Sequence, residues 1–302
     1  MEESTDTPLW RFSTMKLGGE ARRLCQPQSA DELIGLIEQL KRNSEPWFIL
    51  GGGSNTLVSS EGVNGTVIRM TQMTRLATPE PELLIADAGA RLPHLAKYAA
   101  GLGLSGLEFA VGIPGTVGGA VVMNAGAHGS CMANVVESAT VLDCRSGKIT
   151  EMNNADLQFV YRNSAIDPNT QVVLSARLRL KPGPEEEIKK ITQHNEEYRW
   201  RTQPLGWPNL GSTFKNPSAD KSAGLLLDQS GAKQFKEGNA AVSAIHANFV
   251  INLGGASSTE VLRLLRRMQE VVFEKHGLHL HPEWKTLGNF SENLADIWNG
   301  ES

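Results

Sequence analysis

Cysteine is scarce in this chain, and what is present forms no recognisable pair. Cys25, Cys131 and Cys144 are the only three in 302 residues, far apart and without a CxxC motif. That argues against a disulfide scaffold or a cysteine zinc site and fits a reducing compartment. An excess of positive charge is missing too. The formal net charge is -4 and the pI is about 6.0, which argues against a nucleic-acid partner, since that usually needs a basic stripe. Long apolar runs are also lacking. The most apolar stretch, residues 109–123, carries Pro114 and four glycines, and it is too short to cross a bilayer. The first residues, Met1-Glu2-Glu3-Ser4-Thr5, are acidic and polar, unlike a secretory signal. The expectation is a cytoplasmic protein with no membrane insertion. There is no Walker A sequence and no HExxH. His279 and His281 alternate and read as surface histidines, so no metal site is expected.

What is present is an ordinary globular composition, 40% apolar and 21% charged, long enough for two domains and a large core. Residues 24–70 read as strand, helix, strand, glycine turn, strand. Ser29 with Glu32 three residues on is a capping box, and Leu33, Leu36, Ile37 and Leu40 follow at helical spacing. Further on, 83–86 reads as a strand, 93–100 as a helix and 111–129 as a long glycine-rich loop. Strands are expected at 139–144, 148–152 and 172–180. A polar helix over 185–201, acidic at its start and basic at its end, reads as a linker between domains. Helices at 222–229 and 259–276, with Gly277 as a C-cap, and strands at 248–252 and 278–280 give a small α+β C-terminal domain.

Two glycine clusters carry the chemistry. Gly51-Gly52-Gly53-Ser54-Asn55-Thr56 follows an apolar strand. It reads equally as an anion-binding nest with added side-chain donors or as a sharp turn. Gly112-Ile113-Pro114-Gly115-Thr116-Val117-Gly118-Gly119, closed by Asn124-Ala125-Gly126, is too apolar for a disordered loop. It reads as a wall for a large flat ligand or as a buried crossing. Gly101-Leu102-Gly103-Leu104-Ser105-Gly106 matches GxGxxG, but a helical run precedes it, so it reads as a helix stop and not a dinucleotide site. Tyr161-Arg162 offers either a carboxylate clamp or a surface arginine. Gly211 to Pro217 (GSTFKNP) packs a hydroxyl, an amine and an amide into one turn.

In order along the chain, Leu17-Gly18-Gly19, the 51–58 loop, GIPGTVGG with 124–129, Tyr161-Arg162, Gln203-Pro204, GSTFKNP, Ser243 with His246-Ala247-Asn248-Phe249, and Pro282-Glu283 resemble the UDP-N-acetylenolpyruvoylglucosamine reductase family. Only 50 positions separate Arg162 from Ser212, which matches the shorter subclass, type II. Glu20, His128 and Trp284 depart from the family pattern, which has a proline, an aromatic residue and a small β-branched residue there.

The resemblance implies an α+β fold. An FAD-binding domain of the p-cresol methylhydroxylase/vanillyl-alcohol oxidase type would have lobes at 1–70 and 71–203. A substrate domain over 204–302 would hold the UDP-sugar, with the tail after about 283 packing back on the second lobe. It implies non-covalent FAD on Gly51, Gly52, Gly53, Ser54, Asn55, Thr56, Gly112, Ile113, Gly115, Thr116, Gly118, Gly119, Asn124 and Gly126. NADPH would be the co-substrate, and the enolpyruvyl group of UDP-N-acetylglucosamine enolpyruvate would be reduced. Arg162 and Glu283 would hold the carboxylate as charge develops, Ser212 would donate the proton, and Tyr161, Lys215 and Asn216 would bind substrate. The rivals are another flavin oxidase or dehydrogenase on the same fold and a non-catalytic FAD or nucleotide-sugar binder. The oligomeric state is not set by the sequence.

Overall fold

The computed structural model describes residues 1–298, which divide into two compact units discontinuous in sequence. The first holds 1–4, 23–52 and 65–199; the second holds 5–22, 53–64 and the described residues from 200 onward.

The first unit is built on an antiparallel five-stranded sheet in the order Ile149–Asn153, Val136–Asp143, Gln171–Arg179, Leu83–Asp87, Leu76–Glu80. Its register sets Leu142 opposite Val172, Ala139 opposite Ala176, and Ala176 opposite Ala86. Alternation along a strand sends successive side chains to opposite faces. One face packs Ala139, Val141, Ala176 and Leu178 with Leu95, Ala99, Val117 and Val121. The other packs Leu142, Val172 and Leu174 with Leu33, Leu36, Ile37 and Leu40, the apolar stripe of helix Ala30–Arg42. A register shift between Thr140 and Val141 changes the phase of the alternation partway along the sheet.

Helix Ala30–Arg42 forms only half of the expected capping box. Ser29 Oγ accepts from Glu32 N at 3.2 Å, but the Glu32 carboxylate accepts instead from Gln28 N and the Met1 ammonium, both at 2.9 Å. Segment 111–129 is not a plain loop. It holds a short helix, Val117–Val122, because Val117, Ala120 and Val121 are buried while Val117 N and Gly118 N donate to Ala90 O and Ala88 O at 2.9 and 2.8 Å. The polar helix is Glu185–Thr202. It is more than a linker, since Ile188, Thr192, Asn195 and Arg199 form a buried stripe and Asn195 Nδ2 donates to Glu108 O at 2.9 Å.

In the second unit a three-stranded antiparallel sheet, Lys236–Glu237, Ala240–Val242, Val250–Asn252, shares a core with helices Ala223–Gln229 and Ser258–His276. The long helix has a full capping box at Ser257 and Glu260 and ends on Gly277 at φ 64°. Val261, Leu264, Leu265, Met268 and Val272 are wholly buried on one face, each worth about 1.5–3 kcal/mol of transfer energy. The strand expected at 278–280 is absent. Gln269 Nε2 donates to Leu280 O at 2.7 Å, so a side chain satisfies this backbone where a ladder was expected. The strand comes later: Lys285–Leu287 pairs in parallel with Thr56–Val58. The segment after 283 therefore packs on residues 56–62, where Asn289 N also donates to Gly62 O at 3.1 Å.

Candidate functional site

In the first unit the two glycine clusters meet. A Cβ on Gly52 would lie 2.9 Å from Gly115 Cα, so backbone packs on backbone and no side chain fits between. Gly119 is different, since a Cβ there would meet only Thr116 Oγ1 at 3.6 Å. Asn124, at φ 42° and 6% exposed, ties the second cluster down. Its Nδ2 donates to Val160 O at 2.9 Å and its Oδ1 accepts from Ala133 N at 3.0 Å.

That bracket leads to Arg162. Val160 and Asn163 exchange backbone hydrogen bonds of 3.1 and 3.2 Å, leaving Tyr161 and Arg162 at the corner of a tight turn. Arg162 is left-handed at φ 58°, a conformation costing a non-glycine residue about 1–3 kcal/mol, and such strain clusters at functional sites. Its Nη1 donates to Gly126 O at 3.0 Å, and its guanidinium carbon lies 5.4 Å from the Tyr161 ring centroid. The turn therefore hangs on the second glycine segment.

Arg199, which sequence reasoning placed only in a polar helix, also belongs here. Its Cδ occupies the space a Cβ on Gly112 would need. Burial, then the Arg162 charge, pulls its guanidinium down to about 10. His128 is held below its usual value by burial first, then by the Arg199 and His194 charges. The buried stripe at 188, 192, 195 and 199 has helical spacing, but three of its four residues are polar, so it left no apolar signal in the sequence. Bare glycine backbone with open amide groups suits a flat, phosphate-bearing cofactor such as FAD.

In the second unit the polar GSTFKNP turn is fixed from both sides. Thr213 N donates to Asn248 O at 2.8 Å, Glu283 N to Thr213 O at 2.8 Å, and Lys215 N to His281 O at 2.9 Å. The Asn248 amide, 3% exposed, accepts from Phe214 N and donates to Phe214 O, both at 2.9 Å. Ser212 thus lies on a segment anchored directly to Glu283. The first glycine loop reaches the backbone of the same residue: Asn55 Nδ2 donates to the Glu283 carbonyl oxygen at 3.2 Å, and Lys285 N donates to Asn55 O at 2.9 Å. Asn216 Oδ1 accepts from Ala223 N at 3.0 Å. Burial, then the charge of Lys215, lowers Lys285, so two cations neighbour this turn. Trp284, one of the departures, is 1% exposed and fills the unit's core. Its backbone carbonyl accepts from Trp298 Nε1 at 3.1 Å. Among the described residues no group of three His, Cys, Asp or Glu could hold a metal ion.

Comparison with known proteins gives the family of both parts of the chain. The model of an FAD binding domain matches residues 21–153, and that of the UDP-N-acetylenolpyruvoylglucosamine reductase C-terminal domain matches residues 203–287. A UDP-N-acetylenolpyruvoylglucosamine reductase of Synechococcus sp. (strain RCC307) is 45% identical over 96% of this chain and 95% of its own. One from Caldanaerobacter subterraneus is 43% identical over 93% and 92%. The crystal structure of UDP-N-acetylenolpyruvylglucosamine reductase from Thermus caldophilus superposes with a TM-score of 0.80 at 36% identity, covering 95% of this chain and 98% of that one. With likeness running through both units at this identity, the chain belongs to the UDP-N-acetylenolpyruvoylglucosamine reductase family.

Proposed function

We propose that this protein is an NADPH-dependent flavoenzyme that reduces the enolpyruvyl group of UDP-N-acetylglucosamine enolpyruvate to the lactyl ether of UDP-N-acetylmuramate, a peptidoglycan precursor. Likeness to reductases of that name over 96% of the chain supports the reaction. The observation that carries the site is the 2.8 Å bond from Glu283 N to Thr213 O, which ties the carboxyl-bearing residue to the segment bearing Ser212. We assign FAD, held without a covalent bond, to the glycine segments 51–56 and 112–119. We assign the UDP-sugar to 204–302 and place the protein in the cytoplasm. Among the described residues no helix is long and apolar enough to cross a membrane.

When bound, FAD supplies the hydride relay between NADPH and the methylene carbon of the enol ether. As that carbon gains hydride, the π electrons move to the neighbouring carbon and into its carboxylate. Arg162 pairs with this carboxylate, and Glu283 in its protonated form donates a hydrogen bond to it; both stabilise charge where it develops. Ser212 passes its hydroxyl proton to the carbanionic carbon and recovers one from solvent. A serine is always loaded with its proton at neutral pH, so only positioning is needed. Tyr161, Lys215 and Asn216 bind the substrate, and Asn124 acts by holding the Arg162 turn to the second glycine segment.

The decisive experiment is an anaerobic absorbance titration of the purified yellow protein. NADPH should bleach it and the enolpyruvyl sugar should restore the colour, and acid should release all of the colour into solution. A protein bleached by NADPH but not restored by the enolpyruvyl sugar would refute the reading.

A further inference from the structure

Arg199 is a buried cation that, among the described residues, meets no counter-charge. It is 8% exposed, and its Nε is buried with no hydrogen-bond partner among the described residues. The charge that reaches it is another cation, Arg162. The nearby histidine, His128, is pushed further toward neutrality by both Arg199 and His194. Glu108, whose carbonyl binds Asn195 one helical turn earlier, gives one carboxylate oxygen to Gly106 N at 2.8 Å. A buried charge is retained only where something pairs with it. Here the fold supplies repulsion, and Gly112 supplies only the room for the side chain. The missing partner is therefore an anion from outside the chain.

We propose that Arg199 and Arg162 form a two-guanidinium receptor for the carboxylate of the enolpyruvyl group, with Arg199 its buried half. This rests on the assignment of Arg162 to that carboxylate. Two guanidinium forks match the two oxygens of a carboxylate and the charge spread over them as the neighbouring carbon gains electrons. Arg162 is left-handed and half-exposed at its turn, whereas Arg199 is buried on a long helix. Arg199 thus sets the carboxylate's orientation, and Arg162 closes on it. The competing occupant of the same chemistry is a phosphate of the cofactor.

The test uses the holoenzyme with Arg199→Gln and Arg199→Lys. Dissociation constants are read from perturbation of the flavin absorbance by the enolpyruvyl sugar and by UDP-N-acetylglucosamine, which lacks the carboxylate. Loss of one charge-assisted contact should weaken the enolpyruvyl sugar about 10–100-fold, with partial recovery in the lysine variant. UDP-N-acetylglucosamine should bind as it does to wild type. Without substrate, the melting temperature should hold or rise, because an uncompensated buried charge has gone. Equal weakening of both sugars, or no weakening of either, overturns the proposal. So does loss of FAD with substrate affinity intact in the molecules that retain it, which would give the arginine to the cofactor. Should the glutamine variant not fold, the lysine variant decides alone: it must weaken only the carboxylate-bearing sugar. Failure of the wild-type holoenzyme to bind the enolpyruvyl sugar would instead sink the function itself, so the two failures are distinguishable.

Discussion

Ser212 and Asn248 are neighbours in one network but have different work, and substitution should separate them. Ser212→Ala removes a proton donor and no core contact. Bleaching of the flavin by NADPH should stay near wild type, while reoxidation by the enolpyruvyl sugar slows about 10²–10⁴-fold, the usual range for a lost general acid. Rapid-mixing absorbance measures both steps, and two wild-type rates would remove Ser212 from the mechanism. Asn248→Ala acts on the fold. Both its hydrogen bonds go to the Phe214 backbone in a buried setting, and each group left unpaired costs about 1–3 kcal/mol. Urea unfolding should show that loss, and an unchanged midpoint would mean water takes over the bonds. The sequence displayed Ser212 and Glu283 as motif residues. It could not display Asn248 as their clamp, because an amide between His246 and Phe249 looks like any strand-end polar residue until its partners 34 positions away are known.

At the scale of elements, the two glycine clusters were legible as backbone that must come close to something, but not as backbone that comes close to itself. Gly52 packs on Gly115, a contact between segments more than 60 positions apart that no local pattern records. Gly119 has room, and that difference yields a prediction. Gly119→Ala sits in helix Val117–Val122, where alanine is favoured over glycine by about 0.5–1 kcal/mol, so the FAD-free protein should melt no lower than wild type. If FAD lies against this backbone, the added methyl overpacks the bound state by about 1–3 kcal/mol and FAD binds roughly tenfold more weakly or worse. Gly52→Ala should damage both, since its Cβ meets a backbone atom at 2.9 Å. Differential scanning fluorimetry with and without FAD tells the two apart. Wild-type FAD affinity in Gly119→Ala would remove that glycine from the cofactor site. The long polar helix shows the converse limit. Its ends were readable from charge, but a buried stripe of Thr192, Asn195 and Arg199 beside a single Ile188 carries no apolar period to detect.

Across the whole molecule, reading along the chain gives contiguous segments, whereas the compact units interleave: 5–22 and 53–64 belong with the C-terminal hundred residues. Only pairings such as Lys285–Leu287 on Thr56–Val58 disclose this, and parallel pairing over so long a separation leaves no turn signal in sequence. Each unit also holds a histidine shifted toward its neutral form, His246 half-buried and His128 largely exposed. In the second unit His246 is lowered by burial, then by the Lys233 charge, with Asp228 pulling it up. In the first, His128 is lowered by burial, then by Arg199 and His194. The sign follows from proton counting. Below about pH 6.5 the unfolded chain takes up protons on these histidines, while the folded chain resists until its lower values are reached. The unfolded state then binds more protons, so folding stability falls as pH drops through that window. Urea midpoints measured between pH 8 and pH 5, the range over which histidine changes charge, should decline on the acidic side, and His246→Gln with His128→Gln should flatten the decline. A midpoint that rises on acidification, or a slope the double variant leaves untouched, would show that other groups govern the acid limb and that these two imidazoles titrate alike in both states.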